Sequence, residues 1–326
     1  MTFKHLPQEK NAGGKERRIG FELEIAGIEI EDCAKLVAEV FGGKILFKHS
    51  LKTEITGTRV GDFRVELDAL VLRGLAERQE KEGDAADGLV GWINDTAGKI
   101  VPIEIVTPPM TFDQLPDLEL LRQKLQVKKA QGTKAAIINA FGMHINLEVA
   151  SKEVDYVRDV LRAFLILYPW LKETMGIDFS RRVLTYINPF PIDYLRLVLP
   201  ETYAPSWDTF ITDYLEHNPS RNRALDLLPL FMHVKPDSVK LLREADRKLI
   251  RARPTFHYRL PNCEIDSPDW RIARDWNSWV EIEKLAQNKE KLNEMASEYL
   301  AFVDKPLHML SNEWLEKITT GFGGAS

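Results

Sequence analysis

Five segments of this chain alternate apolar and polar residues with a period of two, the pattern of a β-strand with one packed face and one polar face. In the first segment, GFELEI, the apolar residues Phe21, Leu23 and Ile25 alternate with Glu22 and Glu24. The other segments are FRVELD, PIEIV, GMHINL and FHYRL. Strands of this kind form a sheet with one face packed against the core and one polar face. They therefore predict a mainly antiparallel or mixed sheet.

Apolar residues with helical spacing lie between and after these strands, and most of them follow residue 150. The predicted helices are Glu31–Phe41, Leu70 to about Glu82, Gln114–Val127, Lys152–Tyr168, Pro191–Val198, Ser206–Glu216, Ala224–His233, Ser238–Arg251 and Trp279–Ala301. Gly42 and Gly43 are expected to end the first helix, and two short strands are predicted over Lys44–Lys48 and Leu51–Thr56. The pattern therefore predicts an α+β protein with a helix-rich C-terminal half.

The distribution of these elements predicts one catalytic domain over residues 17–312. A polar flexible leader precedes it over 1–16, and a tail that ends in GFGGAS follows over 313–326. The domain is expected to be helix-rich from about residue 151, with a strand at 255–261 that returns to the sheet. A separate helical domain that begins after about Ser151 is the alternative.

Composition excludes several classes of partner. The net charge of −5 argues against binding to nucleic acid or to an anionic membrane surface. No run of about 18 apolar residues is present, so we expect a soluble, cytoplasmic protein. Cys33 and Cys263 are the only cysteines, and two thiols in a chain of 326 residues suggest a reducing compartment and buried apolar positions.

The polar faces of the five strands share one chemical bias. They carry Glu22, Glu24, Arg64, Glu66, Asp68, Glu104, His144, Asn146, His257 and Arg259. A face that meets only water would be richer in Thr, Ser, Lys and Gln, and a solvated face remains the alternative for any single pair. Because nearly all of these side chains can ligate a metal or bind an anion, their recurrence predicts a single site.

Carboxylates with one or two imidazoles are the ligands that suit Mg²⁺ or Mn²⁺, whereas Zn²⁺ would require more His or Cys. Mg²⁺ commonly shares its ligation with phosphates, so the site implies a nucleotide and phosphoryl transfer. Nearby arginines, Arg64 and Arg223 among them, would stabilise the negative charge of the nucleotide. The chain contains neither a P-loop nor a dinucleotide-binding glycine motif.

The order of the motifs along the chain resembles that of the amidoligases related to glutamate–cysteine ligase and, more distantly, glutamine synthetase. The motifs are RIGFELEIAG, FRVELD, IEIVTPP, FGMHINL, RNRALDLLPL and FHYRLPN, and the resemblance covers roughly Arg18 to Ala286. It implies an antiparallel sheet that is curved into a half-barrel or funnel and backed by helices. It also implies ATP-dependent joining of a carboxylate to an amine through an acyl phosphate.

Residue by residue, the resemblance implies a set of metal ligands and a set of substrate-binding residues. The implied metal ligands are Glu22, Glu24, Glu66 and Glu104, with Asp68 outside them. His144 and Asn146 match a His-x-Asn strand and would contact metal, nucleotide or substrate. Arg221 matches the arginine of an Arg-Tyr-x-x-Leu-Asn segment, in which Asn222 replaces the tyrosine and Asp226 the asparagine. With Arg259, Arg221 would neutralise phosphate or the acyl-phosphate transition state.

His257 departs from the family pattern, which has a glutamate metal ligand at this position. Imidazole can ligate Mn²⁺ but is a poor ligand for Mg²⁺, so one metal position is weakened, retuned or lost.

We therefore expect an ATP- and Mg²⁺-dependent (or Mn²⁺-dependent) carboxylate–amine ligase that acts on small molecules or peptides. A catalytically weakened nucleotide- or metabolite-binding protein of the same fold is the alternative, and a scaffold with a solvated sheet face is a third. The identities of the acid and the amine stay open.

Overall fold

The computed structural model describes residues 1–49, 51–67, 103–130, 132, 141–177, 188–238, 242, 250–306 and 311–322. Three predictions lie outside these residues in whole or in large part: the helix over Leu70–Glu82, most of the helix over Ser238–Arg251, and the role of Asp68.

The chain divides into two compact units. The first unit consists of Met1–Ile19, Ile145–Pro261 and Arg271–Ser326, and the second consists of Gly20–His144 and Asn262–Trp270. The domain boundaries proposed from the sequence stay predictions.

The paired strands of the described residues form an antiparallel sheet. The strands are β1 (Ile19–Ile25), β2 (Lys44–His49), β3 (Lys52–Thr58), β4 (Gly61–Leu67), β5 (Ile103–Val106), β6 (Met143–Glu148), β7 (Leu225–Asp226) and β8 (Thr255–Tyr258). In the second unit the order of neighbours is β2-β3-β4-β5-β1. In the first unit β8 pairs with β6 on one side and with β7 on the other.

Nine α-helices occur in the described residues, and seven of them follow residue 150. They are α1 (Ile30–Phe41), α2 (Leu115–Val127), α3 (Val154–Thr174), α4 (Ile192–Val198), α5 (Trp207–His217), α6 (Leu228–Val234), α7 (Ile272–Gln287), α8 (Lys289–Val303) and α9 (Glu313–Phe322). The predicted α+β class, with antiparallel strands and a helix-rich C-terminal half, is confirmed. None of the helices described is long and apolar enough to cross a membrane.

Two predicted helices differ from the observed ones for local reasons. Within Ala224–His233, Leu225–Asp226 pairs with β8 as a strand, and the helix begins only at Leu228. The predicted helix Trp279–Ala301 is two helices, because Asn288 ends α7 and its side chain accepts a hydrogen bond from the backbone N–H of Lys291, which starts α8.

The alternation in β1 separates a packed face from a polar face, as its sequence predicts. Phe21, Leu23 and Ile25 are fully buried, and each contributes roughly 1.5–3 kcal/mol by leaving water. In the same unit, α1 buries one apolar stripe that includes Val37 and packs against β3 and β4. This packing fixes which face of the strands carries the charged side chains.

Gly43 supplies a backbone conformation and a close approach that a side chain would prevent. Its φ is +96°, and a Cβ added there would lie 2.7 Å from the carbonyl oxygen of Thr56. The chain can therefore turn from α1 directly into β2, as the Gly42-Gly43 pair predicts.

Candidate functional site

Antiparallel register places side chains of four neighbouring strands of the second unit in one row. Glu24 of β1 lies opposite Glu104 of β5, Glu104 lies opposite Glu66 of β4, and Glu66 lies opposite Lys52 of β3. Three carboxylates thus follow one another across the polar face. Like charges directly opposite one another destabilise a sheet, so this row requires positive charge close to it.

His144 of β6 lies between the two glutamates of β1. Its Nδ1 is 2.9 Å from Oε2 of Glu22, and its Nε2 is 3.5 Å from Oε1 of Glu24. The side chain of His144 is buried, with 7 % of its surface exposed. Each ring nitrogen therefore faces a carboxylate oxygen, and either a proton or a metal cation can reduce the repulsion between the two glutamates.

Backbone contacts hold β1 and the carboxylate of Glu24 in place. The N–H of Gly142 donates to Oε2 of Glu24 over 2.6 Å, and the backbone N–H of Glu24 donates to the carbonyl oxygen of Gly142. At the end of β5, the hydroxyl of Thr107 accepts a hydrogen bond from the N–H of Phe21 over 2.8 Å. The backbone N–H of Thr107 donates in turn to the carbonyl oxygen of Phe21 over 2.9 Å, so Thr107 extends the pairing of β1 with β5 by one residue.

Glu24, Glu104 and His144 satisfy the basic requirement for a metal centre. One ligand atom from each of them lies within 4.8 Å of those of the other two. Two carboxylates and one imidazole are a donor set that suits Mn²⁺ and, with water completing the coordination, Mg²⁺. The residues present therefore fit a hard divalent cation. Glu22 lies next to this group, because its carboxylate contacts Nδ1 of His144.

Glu66 has a different environment from Glu24 and Glu104. Its Oε1 lies 3.7 Å from Nη2 of Arg64, and its Oε2 lies 3.7 Å from Nζ of Lys52. Lys52 and Lys48 each lie 3.4 Å from the carboxylate of Glu54. Glu66 and Arg64, both predicted site residues, thus belong to a cluster of mixed charge on β2, β3 and β4.

The first unit carries the remaining predicted residues, of which Asn146 and His257 form a pair. The two are opposite one another on β6 and β8, and Nδ1 of His257 lies 2.7 Å from Oδ1 of Asn146. Because the carbonyl oxygen of an amide can only accept, this geometry assigns the proton to Nδ1 of His257. Such an outer hydrogen bond is how metal-binding histidines are usually oriented.

Arg259 and Arg221 lie close together around Asp226. The guanidinium of Arg259 donates to the carbonyl oxygen of Arg221 over 2.7 Å, and the backbone N–H of Arg259 donates to Ala224. Asp226, opposite His257 on β7, is buried and accepts a hydrogen bond from the N–H of Leu228. The charges of the two arginines therefore lie near a buried carboxylate.

Arg223 contacts backbone carbonyls. Its guanidinium donates to the carbonyl oxygen of Pro189 and, over 3.2 Å, to that of His217, the last residue of α5. It also lies 5.5 Å from the centroid of the Phe190 ring. Burial lowers the pKa of Arg223. Through these contacts Arg223 satisfies carbonyl groups at and near the end of α5. The predicted role of Arg223 at a nucleotide stays a prediction.

Asp226 leads to a prediction about pH. Burial raises the pKa of Asp226 to about 6 from the ordinary value of 3.8, while Arg259 and the N–H of Leu228 act in the opposite direction. Since the folded state binds this proton more tightly than the unfolded state, its contribution to stability is complete below pH 4 and is lost as the pH rises through 6. The loss amounts to about 3 kcal/mol.

The variant Asp226→Asn is therefore expected to be more stable than wild type by up to about 3 kcal/mol at pH 8 and about equal to it at pH 4. Urea unfolding at the two pH values measures the difference. Asp193→Asn, at a carboxylate that is 81 % exposed, is the matched control and is expected to show no such change with pH. A constant difference between Asp226→Asn and wild type would contradict the prediction.

The sequence predicts most of the side chains at the site, but it does not predict all of their contacts. The structure brings Glu22, Glu24, Glu104 and His144 together in the second unit, and Asn146 and His257 in the first. Lys52 and the backbone N–H of Gly142 were missed, because only the register of β3 and the path of the chain before β6 reveal them.

Comparison with known proteins gives one clear result. Residues 15–281 match a family model described as "putative amidoligase enzyme". A search of curated proteins finds no match. The family match covers most of the chain and includes every predicted site residue. The chain therefore belongs to the amidoligase family.

Proposed function

We propose that this protein is an ATP-dependent carboxylate–amine ligase that forms an amide bond through an acyl phosphate. The single observation that carries the proposal is the group of Glu24, Glu104 and His144, whose ligand atoms lie within 4.8 Å of one another. Membership of the amidoligase family supports amide-bond formation as the reaction class. Dependence on ATP and the acyl phosphate are the proposal's own additions.

The proposed reaction has two steps. A carboxylate oxygen of the acid attacks the γ-phosphorus of ATP, the bond to the bridging oxygen breaks, and ADP leaves. The amine nitrogen then attacks the acyl carbon, the bond from that carbon to the phosphate oxygen breaks, inorganic phosphate leaves, and the nitrogen loses a proton. A divalent cation would neutralise phosphate charge in the first step.

Each side chain has a role that follows from its surroundings. Glu24 and Glu104 would bind the cation together with His144, whose ring orientation is supported by Glu22. In the first unit, Arg259 would bind an anionic group of a substrate, held in place by its hydrogen bond to the carbonyl oxygen of Arg221. Asn146 would act by orienting His257.

The experiment is a screen for ADP release with Mg²⁺ or Mn²⁺, in which hydroxylamine serves as a general amine and carboxylic acids are varied. Hydroxylamine converts an acyl phosphate to a hydroxamate, so the proposal predicts equal amounts of ADP and hydroxamate for at least one acid. ADP release without hydroxamate would contradict the acyl phosphate. If wild type releases no ADP and His257→Glu does, the catalytically weakened binding protein is the correct alternative.

A further inference from the structure

Two cations flank Glu66 on the polar face of the second unit. Lys52 lies opposite Glu66 on β3, and Arg64 precedes Glu66 by two residues on the same face of β4. Their nitrogen atoms each lie 3.7 Å from a different oxygen of Glu66. The side chains of Lys52 and Arg64 are 29 % and 28 % exposed, so both remain accessible to a ligand.

The ion pairs that Lys52 and Arg64 form within the described residues are long. Among the described residues, Lys52 has ion pairs at 3.4 and 3.7 Å and Arg64 has one at 3.7 Å, and these distances exceed the 2.7–2.9 Å typical of charge-assisted hydrogen bonds. The contrast is Arg17, which donates to both oxygens of Glu283 at 2.7 and 2.8 Å. Because an ammonium has three N–H donors and a guanidinium has five, both cations have donors left for a second anion.

Positive charge exceeds negative charge in this cluster. Lys48, Lys52 and Arg64 contribute three cations, whereas Glu54 and Glu66 contribute two carboxylates. The neighbouring strands β1 and β5 carry the opposite excess through Glu22, Glu24 and Glu104. A ligand that spans both regions would need a cation at one end and an anion at the other, which describes a metal–polyphosphate complex.

The separation of the two regions suits such a ligand. Lys52 belongs to the same register row as Glu104 and is two strands away from it, which corresponds to about 10 Å between their Cα atoms. Arg64 lies opposite Val106, the residue that also faces Glu22. Long Lys and Arg side chains can cover part of this distance, because both point to the same face as the metal-binding carboxylates.

We propose that Lys52 and Arg64 form a phosphate-binding pair for the phosphate groups of a metal–nucleoside triphosphate complex. This inference rests on the proposed function and adds Lys52, which neither the motifs nor the family match assigns. The planar guanidinium of Arg64 can bind two phosphate oxygens, and the ammonium of Lys52 acts as a point charge.

The test measures binding of inorganic tripolyphosphate and of ATP to the full chain by titration calorimetry with Mn²⁺ present. Lys52→Met is expected to weaken both probes at least tenfold, and Lys52→Arg to retain most of the affinity. Binding of Mn²⁺ alone should be unchanged or tighter in Lys52→Met, because a positive charge has been removed. The comparison variant is Lys48→Met, which removes the same charge from the cluster at a side chain that pairs with Glu54 and is 49 % exposed, and it should weaken both probes by less than about threefold.

The outcomes separate this inference from the proposed function. If wild type binds both probes and Lys52→Met binds them equally well, this inference alone is overturned. Equal losses in Lys48→Met and Lys52→Met would also overturn it, because a general charge effect would then suffice. A loss for ATP without a loss for tripolyphosphate would overturn the assignment to phosphate. If wild type binds neither probe, both the inference and the ATP-dependent function fail.

Discussion

Replacement of Glu24 by glutamine is expected to weaken Mn²⁺ binding by at least about 100-fold, since even residues that only orient a ligand change metal affinity 10- to 100-fold. Glu24 lies opposite Glu104 and 3.5 Å from Nε2 of His144. Glutamine has nearly the same shape, and its amide oxygen can still accept the hydrogen bond from Gly142. The variant therefore removes charge and leaves the position of the side chain intact, and titration calorimetry measures the change.

The matched control for Glu24→Gln is Glu54→Gln. Glu54 lies on the same sheet of the second unit and has its own ion pairs, but it is not part of the group of ligand atoms around His144. We expect Glu54→Gln to bind Mn²⁺ within about threefold of wild type, since its charge is partly exposed and screened. Equal losses in the two variants would show that the general negative charge of the surface, and no built centre, attracts the metal.

Replacement of Arg17 by leucine is expected to lower the free energy of unfolding by about 3–5 kcal/mol. Arg17 and Glu283 form an ion pair in the first unit, and their side chains are 0 % and 1 % exposed. Arg17 also donates to the carbonyl oxygens of Glu148 and Gln8. Among the described residues, the change would leave the buried charge of Glu283 with the indole N–H of Trp279 as its one remaining donor. Urea unfolding followed by tryptophan fluorescence measures the effect.

Two comparisons determine whether the buried charge is the cause. Lys35→Met breaks an exposed pair with Glu31 and should leave the free energy of unfolding close to that of wild type, because solvent screens this pair. The double variant Arg17→Leu/Glu283→Leu removes both charges and should recover at least half of the loss, because no unpaired charge then remains. A double variant that is no more stable than Arg17→Leu would contradict the electrostatic explanation and indicate lost packing.

The strands and their polar faces could be predicted because period-two alternation is a local property. Phe21, Leu23 and Ile25 are buried where the pattern places them, and Glu22 and Glu24 share the opposite face. The same argument located Glu104 and His144. Residue chemistry then indicated a metal centre, and the side chains of the second unit fit one.

Register between strands could not be predicted, because it depends on hairpin geometry and irregularities that alternation does not encode. Lys52 enters the row of carboxylates only because β3 and β4 pair with a shift between Ile55 and Thr58. Leu225 and Asp226 pair with β8, which places Asp226 opposite His257. The helical spacing of the surrounding apolar residues had predicted a helix over these two residues. Contacts that connect strands far apart in sequence therefore required the structure.

His257 lies against a second predicted site residue. From the sequence it was a departure from an expected carboxylate. Its Nδ1 lies 2.7 Å from Oδ1 of Asn146, whose predicted contact with metal, nucleotide or substrate stays a prediction. A ring fixed in this way is suited to bind Mn²⁺ through Nε2, in keeping with a retuned position.

The metal centre of the second unit is the central claim, and anomalous diffraction from crystals soaked in Mn²⁺ tests it most directly. Data collected near the manganese absorption edge are expected to show a peak in contact with carboxylate oxygens of Glu24 and Glu104 and with His144, and no such peak in Glu24→Gln crystals. Well-ordered wild-type crystals without a peak at these three side chains would contradict the claim.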